Sequence, residues 1–453
     1  MTQAPHKVRS KVPRPIDIVL DPFLRFTSAQ ASGGILLLAA TVAALLWANL
    51  GGQSYHHFFE TRLAVSFGSF ELAKTLGHWI NDALMVIFFF VVGLEIKREL
   101  IIGELSSPRK AALPAAAALG GMLAPAAIYL IFNIDKPGQA GWGIPMATDI
   151  AFTIGVLTLL GKAVPLSLKV FLTALAIVDD IGAVLVIALF YSDNIGWGSL
   201  GIGGIILILL IAGNFLGVRH PLVYGLLGVG LWLAFLQSGI HATIAGVLLA
   251  LTIPASTSLA TRDVVKSGRF LLAELERKQT NRGLRPNTNE EQSILESIEE
   301  ISESAQTPMQ RLEHTLAPWS TFLIMPLFAL ANAGLDLSEG LTLAHPTSLG
   351  IMAGLCIGKP LGITLFSWLA VRTGLAELGG DVSWKQVFGG GCLAGIGFTM
   401  SLFIANLAFP TGDLLEVSKA GVLVASLLSA CFGAVLLRRF RAMAPDTARG
   451  RHG

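Results

Sequence analysis

Two adjacent carboxylates, Asp179 and Asp180, stand in the middle of LTALAIVDDIGAVLVIALF (172–190), a run with no other charge that is long enough to cross a bilayer. An ionised side chain at mid-bilayer costs about 2.5–3.5 kcal/mol on insertion scales, so such groups normally face a partner, water or a transported species. Consecutive helix residues point about 100° apart, which gives the two aspartates different partners. Burial makes a carboxylate costly to ionise, while a bound cation favours its charged form, so protons and cations compete for one site. A structural pair, hydrogen-bonded to neighbouring helices, is the plainer alternative.

A third carboxylate, Asp149, sits in GWGIPMATDIAFTIGVL behind Pro145 and Thr148, where a continuous helix is weakened and backbone groups are freed at membrane depth. The second half has a matching interruption in FGGGCLAGIGFTMSLFIANL, with Gly389, Gly390, Gly391, Gly395 and Gly397, and its GFTMSLF echoes AFTIGVL. Interrupted spans in corresponding halves point to a transporter site between inverted repeats, with close glycine packing as the competing account. Lys359, in LCIGKPLGITLF, falls near the centre of its apolar run and needs a carboxylate counter-charge. Groups able to sense pH are His241 in SGIHATIAG, Glu95, Arg98 and Glu99 in VVGLEIKREL, and Glu313 with His314 in RLEHTLAPW.

The elements that must position these residues are membrane helices. The chain is 53% hydrophobic and only 14% charged over 453 residues, against about 25% charged in soluble domains. Apolar runs between charged or Gly/Pro-rich breaks predict an all-α integral membrane protein of about twelve transmembrane helices. The expected organisation is a tail over 1–32, eight helices in 33–260, an insert over 261–317, four helices in 318–438 and a tail over 439–453. Basic residues crowd the segments that hold Lys97, Arg98, Arg109, Lys110, Arg372, Arg438 and Arg439, so both termini are expected inside. In the first outer loop, near 55–75, ETRLAVSFGSFELAK alternates around Gly68 and fits a small β-hairpin or an irregular loop. The insert is charged and serine-rich, with helical spacing of Ile294, Ile298 and Ile301 between flanks that read as disordered. A net charge of +2, with no phosphate loop or metal-finger spacing, points to no nucleic-acid partner. Cys356, Cys392 and Cys431 lie in apolar stretches and imply no disulfide framework.

The phrases FFFVVGLEIKREL, MATDIAFTIGVL, ALAIVDDIGAVLVIA, SGIHATIAGVLLAL, MPLFALANAG, CIGKPLGI and GFTMSLFIANLAF closely resemble the NhaA family of sodium/proton antiporters, from about Ser32 to the last helix. That resemblance implies inverted repeats, two discontinuous helices crossing at mid-membrane, and an outer hairpin that serves as a homodimer contact. It implies a secondary transporter, not an enzyme, in the bacterial inner membrane. Cytoplasmic Na⁺ or Li⁺ would be exchanged for external protons, electrogenically, under pH control and without a cofactor. By the same resemblance Asp180 is the principal ion ligand, Asp179 its neighbour paired with Lys359, and Thr148 with Asp149 lies at the crossing. Asp82, in WINDALM, matches an aspartate near the ion pathway, and Glu95, Arg98, His241, Glu313 and His314 match positions tied to pH regulation. The chain departs from the family in having Ala317 just before PW and a longer insert. Rival expectations are a cation or proton channel and a membrane aspartyl protease, which needs facing carboxylates rather than neighbours on one helix.

Overall fold

The helices form where apolar runs meet proline or hydroxyl start signals, and they are long. In the computed structural model the described residues are 32–67, 70–192, 195–257, 261–279, 289–336 and 343–442. The expected N-terminal tail before Ser32, the C-terminal tail beyond Ala442 and Gly68 lie outside them. The first helix is α1 (Ser32–Leu50), followed by the short α2 (Ser54–Glu60). Strands β1 (Arg62–Phe67) and β2 (Phe70–Thr75) pair antiparallel, with Arg62 opposite Thr75. Next come α3 (Leu76–Ile101) and α4 (Pro108–Asn133). A tight 3₁₀ segment over Pro137–Met146 then precedes α5 (Ile150–Leu160) and α6 (Leu166–Phe190). The first half closes with α7 (Trp197–Phe215), α8 (Pro221–Ser238) and the short α9 (Thr243–Thr252).

Helices α10 (Thr261–Gln279) and α11 (Asn289–Ala305) form the insert and pack on one another, with Ile294 buried. The first of them is helical where the sequence read as disordered, packed on α11 with Phe270 and Leu272 left exposed. Met309 N–H donates to Pro254 O at 3.2 Å, so the chain enters and leaves the insert at one place. The second half comprises α12 (Pro308–Asn332), α13 (Pro346–Arg372), α14 (Trp384–Ala394), α15 (Phe398–Ala408) and α16 (Asp413–Ala442).

Among the described residues nine helices are long and apolar enough to cross a membrane, or up to eleven if each of two bent pairs is one span. That is fewer than about twelve because α9, at 10 residues, is too short to count. Outward side chains such as Ile208 (66% exposed) and Leu226 (77%) are apolar, as a lipid-facing surface requires.

Two helix groups result. In one, α4, α5, α6, α13, α14, α15 and α16 pack together; in the other, α1, α3, α7, α8, α9 and α12 do. The groups meet where α5 lies on α1, α6 on α3 and α15 on α12. The α4–α13 crossing is close because Gly120 and Gly362 face each other; a Cβ on Gly120 would stand 2.2 Å from Gly362 O. Wider π turns interrupt α12 at Ser320–Ile324 and α13 at Gly354–Gly358. Each precedes a proline, Pro326 or Pro360, which has no N–H for the carbonyl four residues back, and the extra residue accommodates that loss.

Candidate functional site

Two broken spans meet at the centre of the first group. The 3₁₀ segment ends at Met146 and α5 starts at Ile150, with a 43° bend between them; α14 and α15 are bent by 48° across Gly395, Ile396 and Gly397. Pro145 shapes the first break, and Asp149 restarts the helix as its N-cap, accepting from Phe152 N–H at 2.9 Å. Glycine shapes the second, since a Cβ on Gly395 would lie 2.4 Å from Leu355 O.

The freed backbone groups of each break are satisfied by the other. Asp149 N–H donates to Ile396 O at 2.7 Å, Thr148 Oγ1 to Ala394 O at 3.0 Å and Ser401 Oγ to Ile144 O at 2.7 Å. Thr399 donates both its N–H (3.2 Å) and its hydroxyl to Asp149 Oδ2. This mutual satisfaction is what allows irregular backbone at membrane depth.

Three carboxylates and one ammonium gather there, and Asp149, Asp179, Asp180 and Lys359 are each no more than 1% exposed. Lys359 Nζ pairs with Asp179 Oδ2 at 2.6 Å and also donates to Met146 O, placing its charge at the C-terminal end of the first half-helix. Thr148 Oγ1 lies 2.7 Å from the same Asp179 oxygen, so its single proton serves either Asp179 or Ala394 O at any moment. Oδ1 of Asp179 and Oδ1 of Asp180 are buried with no hydrogen-bond partner. With all four groups ionised the cluster carries an excess of two negative charges, which protons or a cation must offset.

Asp180, Asp149 and Thr148 line the inner end of a cavity of about 810 Å³ that runs between the two groups to Glu95, Arg98, Glu313 and His314. Arg98 is ion-paired with Glu313 and meets Glu99 at 3.0 Å and Glu95 at 3.8 Å. Among the described residues no three acidic, histidine or cysteine side chains are grouped as a metal-binding cluster.

The residues singled out by sequence therefore fall into three places. Thr148, Asp149, Asp179, Asp180 and Lys359 meet at the crossing, and Glu95, Arg98, Glu99, Glu313 and His314 gather toward the other end of the cavity. Asp82 and His241 join neither. Asp82 borders a small recess with Lys74, His78 and Trp232, while His241 Nδ1 lies 2.8 Å from Thr243 Oγ1 with its ring 5.4 Å from that of Phe403. The sequence reading passed over Thr399, although its threonine in GFTMSLF stands where the echoed AFTIGVL has Thr153, whose hydroxyl reaches Leu393 O at 3.3 Å.

The family model for Na⁺/H⁺ antiporter 1 matches residues 24–437. The chain belongs to that family. It is 50% identical over 436 residues to the Na⁺/H⁺ antiporter NhaA of Oleidesulfovibrio alaskensis, covering 96% of this chain and 97% of that one. Identity to the NhaA of Koribacter versatilis is 50% over 434 residues (95% and 94% covered), and to that of Escherichia coli 47% over 422 residues (91% and 97%). A solved sodium proton antiporter, MjNhaP1 from Methanocaldococcus jannaschii, overlaps it loosely, with a TM-score of 0.48 and 11% identity over 94% of this chain and 98% of that one. These relatives are transporters, and this antiporter-family chain is a multi-pass membrane protein.

Proposed function

We propose that this chain exports Na⁺ or Li⁺ in exchange for external protons by alternating access at Asp180. The observation that carries the reading is the Asp180 carboxylate, whose Oδ1 is buried without a partner at the inner end of the cavity, beside the Asp179–Lys359 pair. A buried carboxylate without a partner is neutralised either by a proton or by a cation, so each species displaces the other. Thr148, the Asp149 carboxylate, freed carbonyls and water supply further oxygens for the ion. Lys359 or Asp179 is the source of a second proton, and release of two protons per Na⁺ makes each cycle electrogenic.

The finer architecture belongs to the same proposal. Twelve helices are counted if α9 is taken as part of a span and the N- and C-terminal tails face the cytoplasm, where the basic segments lie. The two broken spans come from inverted repeats, and the β1–β2 hairpin is the homodimer contact on the outer side. Glu95, Arg98, Glu99, Glu313 and His314 then stand on the cytoplasmic side, where protonation of a carboxylate that holds Arg98 regulates the cavity. Asp82 belongs to the ion pathway, and His241 is a pH-regulating group near the outer face. The bacterial inner membrane is the expected location.

The test is Na⁺-driven proton movement in proteoliposomes between pH 6 and 9. Asp180→Asn should abolish exchange while the protein still inserts, because an amide cannot trade a proton for a cation. Wild-type exchange in that variant would sink the assignment, and an uncoupled Na⁺ leak in the unaltered protein would mark a channel instead.

A further inference from the structure

Three asparagines sit at the far side of the molecule from the arginine cluster. Asn81 and Glu95 belong to the same helix, 14 positions apart in sequence, which is roughly 20 Å of helix. Asn332 ends α12, whose first turns carry Glu313. Asn406 lies in the last turn of α15.

Their amides form one network. Asn332 Oδ1 accepts from Asn81 Nδ2 at 3.2 Å and from Asn406 Nδ2 at 3.0 Å, while Asn332 Nδ2 donates to Asn81 Oδ1 at 2.7 Å and to Phe328 O at 2.9 Å. Both lone pairs and both protons of Asn332 are thus used. Bonds back to the preceding turn, Asn332 to Phe328 O and Asn406 to Leu402 O (2.8 Å), fix which end of each amide is nitrogen. The Asn81–Asn332 pair lies within one helix group. The Asn406–Asn332 bond joins that group to the one that holds the carboxylates.

The same face of α15 continues to the site. Thr399, Phe403 and Asn406 are spaced four and three residues apart, which stacks them on one side of the helix. Thr399 holds Asp149; Phe403, 1% exposed, packs among Phe89 (5.5 Å between centroids), Phe328 (6.2 Å) and His241 (5.4 Å), all from the other group. Any motion that opens the site away from the present cavity must part this layer.

We infer that the bond from Asn406 to Asn332 is a latch between the two helix groups, and that opening the site to the far side requires Asn406 to leave Asn332. Asn332 is then a positioning residue: the bond it gives up holds α15, and through it Thr399, in the cavity-facing arrangement. The inference rests on the alternating-access proposal.

It is tested by distances that need no exchange activity. Spin labels at Leu50→Cys, the exposed end of α1, and Thr411→Cys, exposed just before α16, one for each group at the far end, report the separation in lipid nanodiscs once Cys356, Cys392 and Cys431 are replaced by serine. Asn406→Ala should raise the ratio of the longer to the shorter separation about five-fold, the usual net worth of one neutral hydrogen bond. Asn406→Asp, which cannot donate, should shift it the same way, and Asn81→Ala, which spares the bond between groups, should leave it near that of the unaltered protein. A distribution unchanged in both Asn406 variants, or an Asn81→Ala shift as large as theirs, would overturn the latch. Loss of exchange in Asp180→Asn reports on the transport proposal independently of these distances.

Discussion

At the scale of single residues the decisive fact is that opposite charges are paired unequally. Lys359 has one carboxylate, Asp179, and the carbonyl of Met146, while no hydrogen bond is made by Oδ1 of Asp180. Removing the ammonium leaves the Asp179 charge buried and alone, which costs about 3–5 kcal/mol in comparable pairs. Lys359→Ala should therefore lower the melting temperature in detergent by several degrees or more, and adding Asp179→Asn should restore part of it; identical melting of the single variant and the parent would contradict the pairing. Thr399→Val removes the hydroxyl from Asp149 but leaves the backbone N–H donor, so the site persists with one charged hydrogen bond fewer. Such a bond is worth about 1.5–3 kcal/mol, and an apparent Na⁺ affinity reduced about ten-fold or more is expected in ion-driven proton flux. Because protons and Na⁺ compete, the apparent KM for Na⁺ should fall as pH rises, by about ten-fold per pH unit for each proton that the ion displaces, and so more steeply where two protons leave together. A KM flat across pH 6 to 9 would separate proton release from ion binding.

The elements place these residues through two interruptions of unlike origin. Proline and a capping aspartate stop the first helix, whereas the second is bent by glycines that let Leu355 O approach Gly395. Gly395→Ala inserts a methyl group at 2.4 Å from that carbonyl, so one backbone must move and the crossing loosens. Exchange should drop at least ten-fold, whereas Gly201→Ala, where nothing lies within 4 Å, should be silent; proteoliposome flux compares the two. Both interruptions are visible in the sequence as Gly/Pro clusters, but the bonds from Asp149 N–H to Ile396 O and from Ser401 to Ile144 O join residues more than 240 positions apart and follow from packing alone.

Across the whole molecule, the cavity lies between two helix groups, and the Phe403 and asparagine contacts join the same two groups away from the Arg98 end. The insert stands apart from this arrangement. Its helices α10 and α11 pack chiefly on one another, and the bond from Met309 to Pro254 holds the two ends of the insert together. Replacing 261–305 by a short Gly/Ser linker should leave exchange within about two-fold of the unaltered protein and the melting temperature nearly unchanged. A collapse of either on deletion would mean that the insert supports the cavity mouth.

The sequence by itself determined that this is a membrane protein, because long apolar runs have no other stable home, and it marked Asp149, Asp179, Asp180 and Lys359, because charges in such runs are costly enough to stand out. The local chemistry of Pro145 and of Gly395 and Gly397 likewise announced the two breaks. The helix count was less legible, since α9 belongs to an apolar run of span length but forms only 10 helical residues. The tertiary structure pairs Lys359 with Asp179 rather than Asp180, as the family resemblance implied and the residue types alone left open, because neighbours on one helix diverge by about 100° and which one meets the lysine depends on how α6 is rotated against α13. It also decided that Asp82 and His241 lie away from the carboxylates, and that Asn81, Asn332 and Asn406 meet: asparagines carry no charge to betray them in a sequence, and their amides find each other only once three helices are packed.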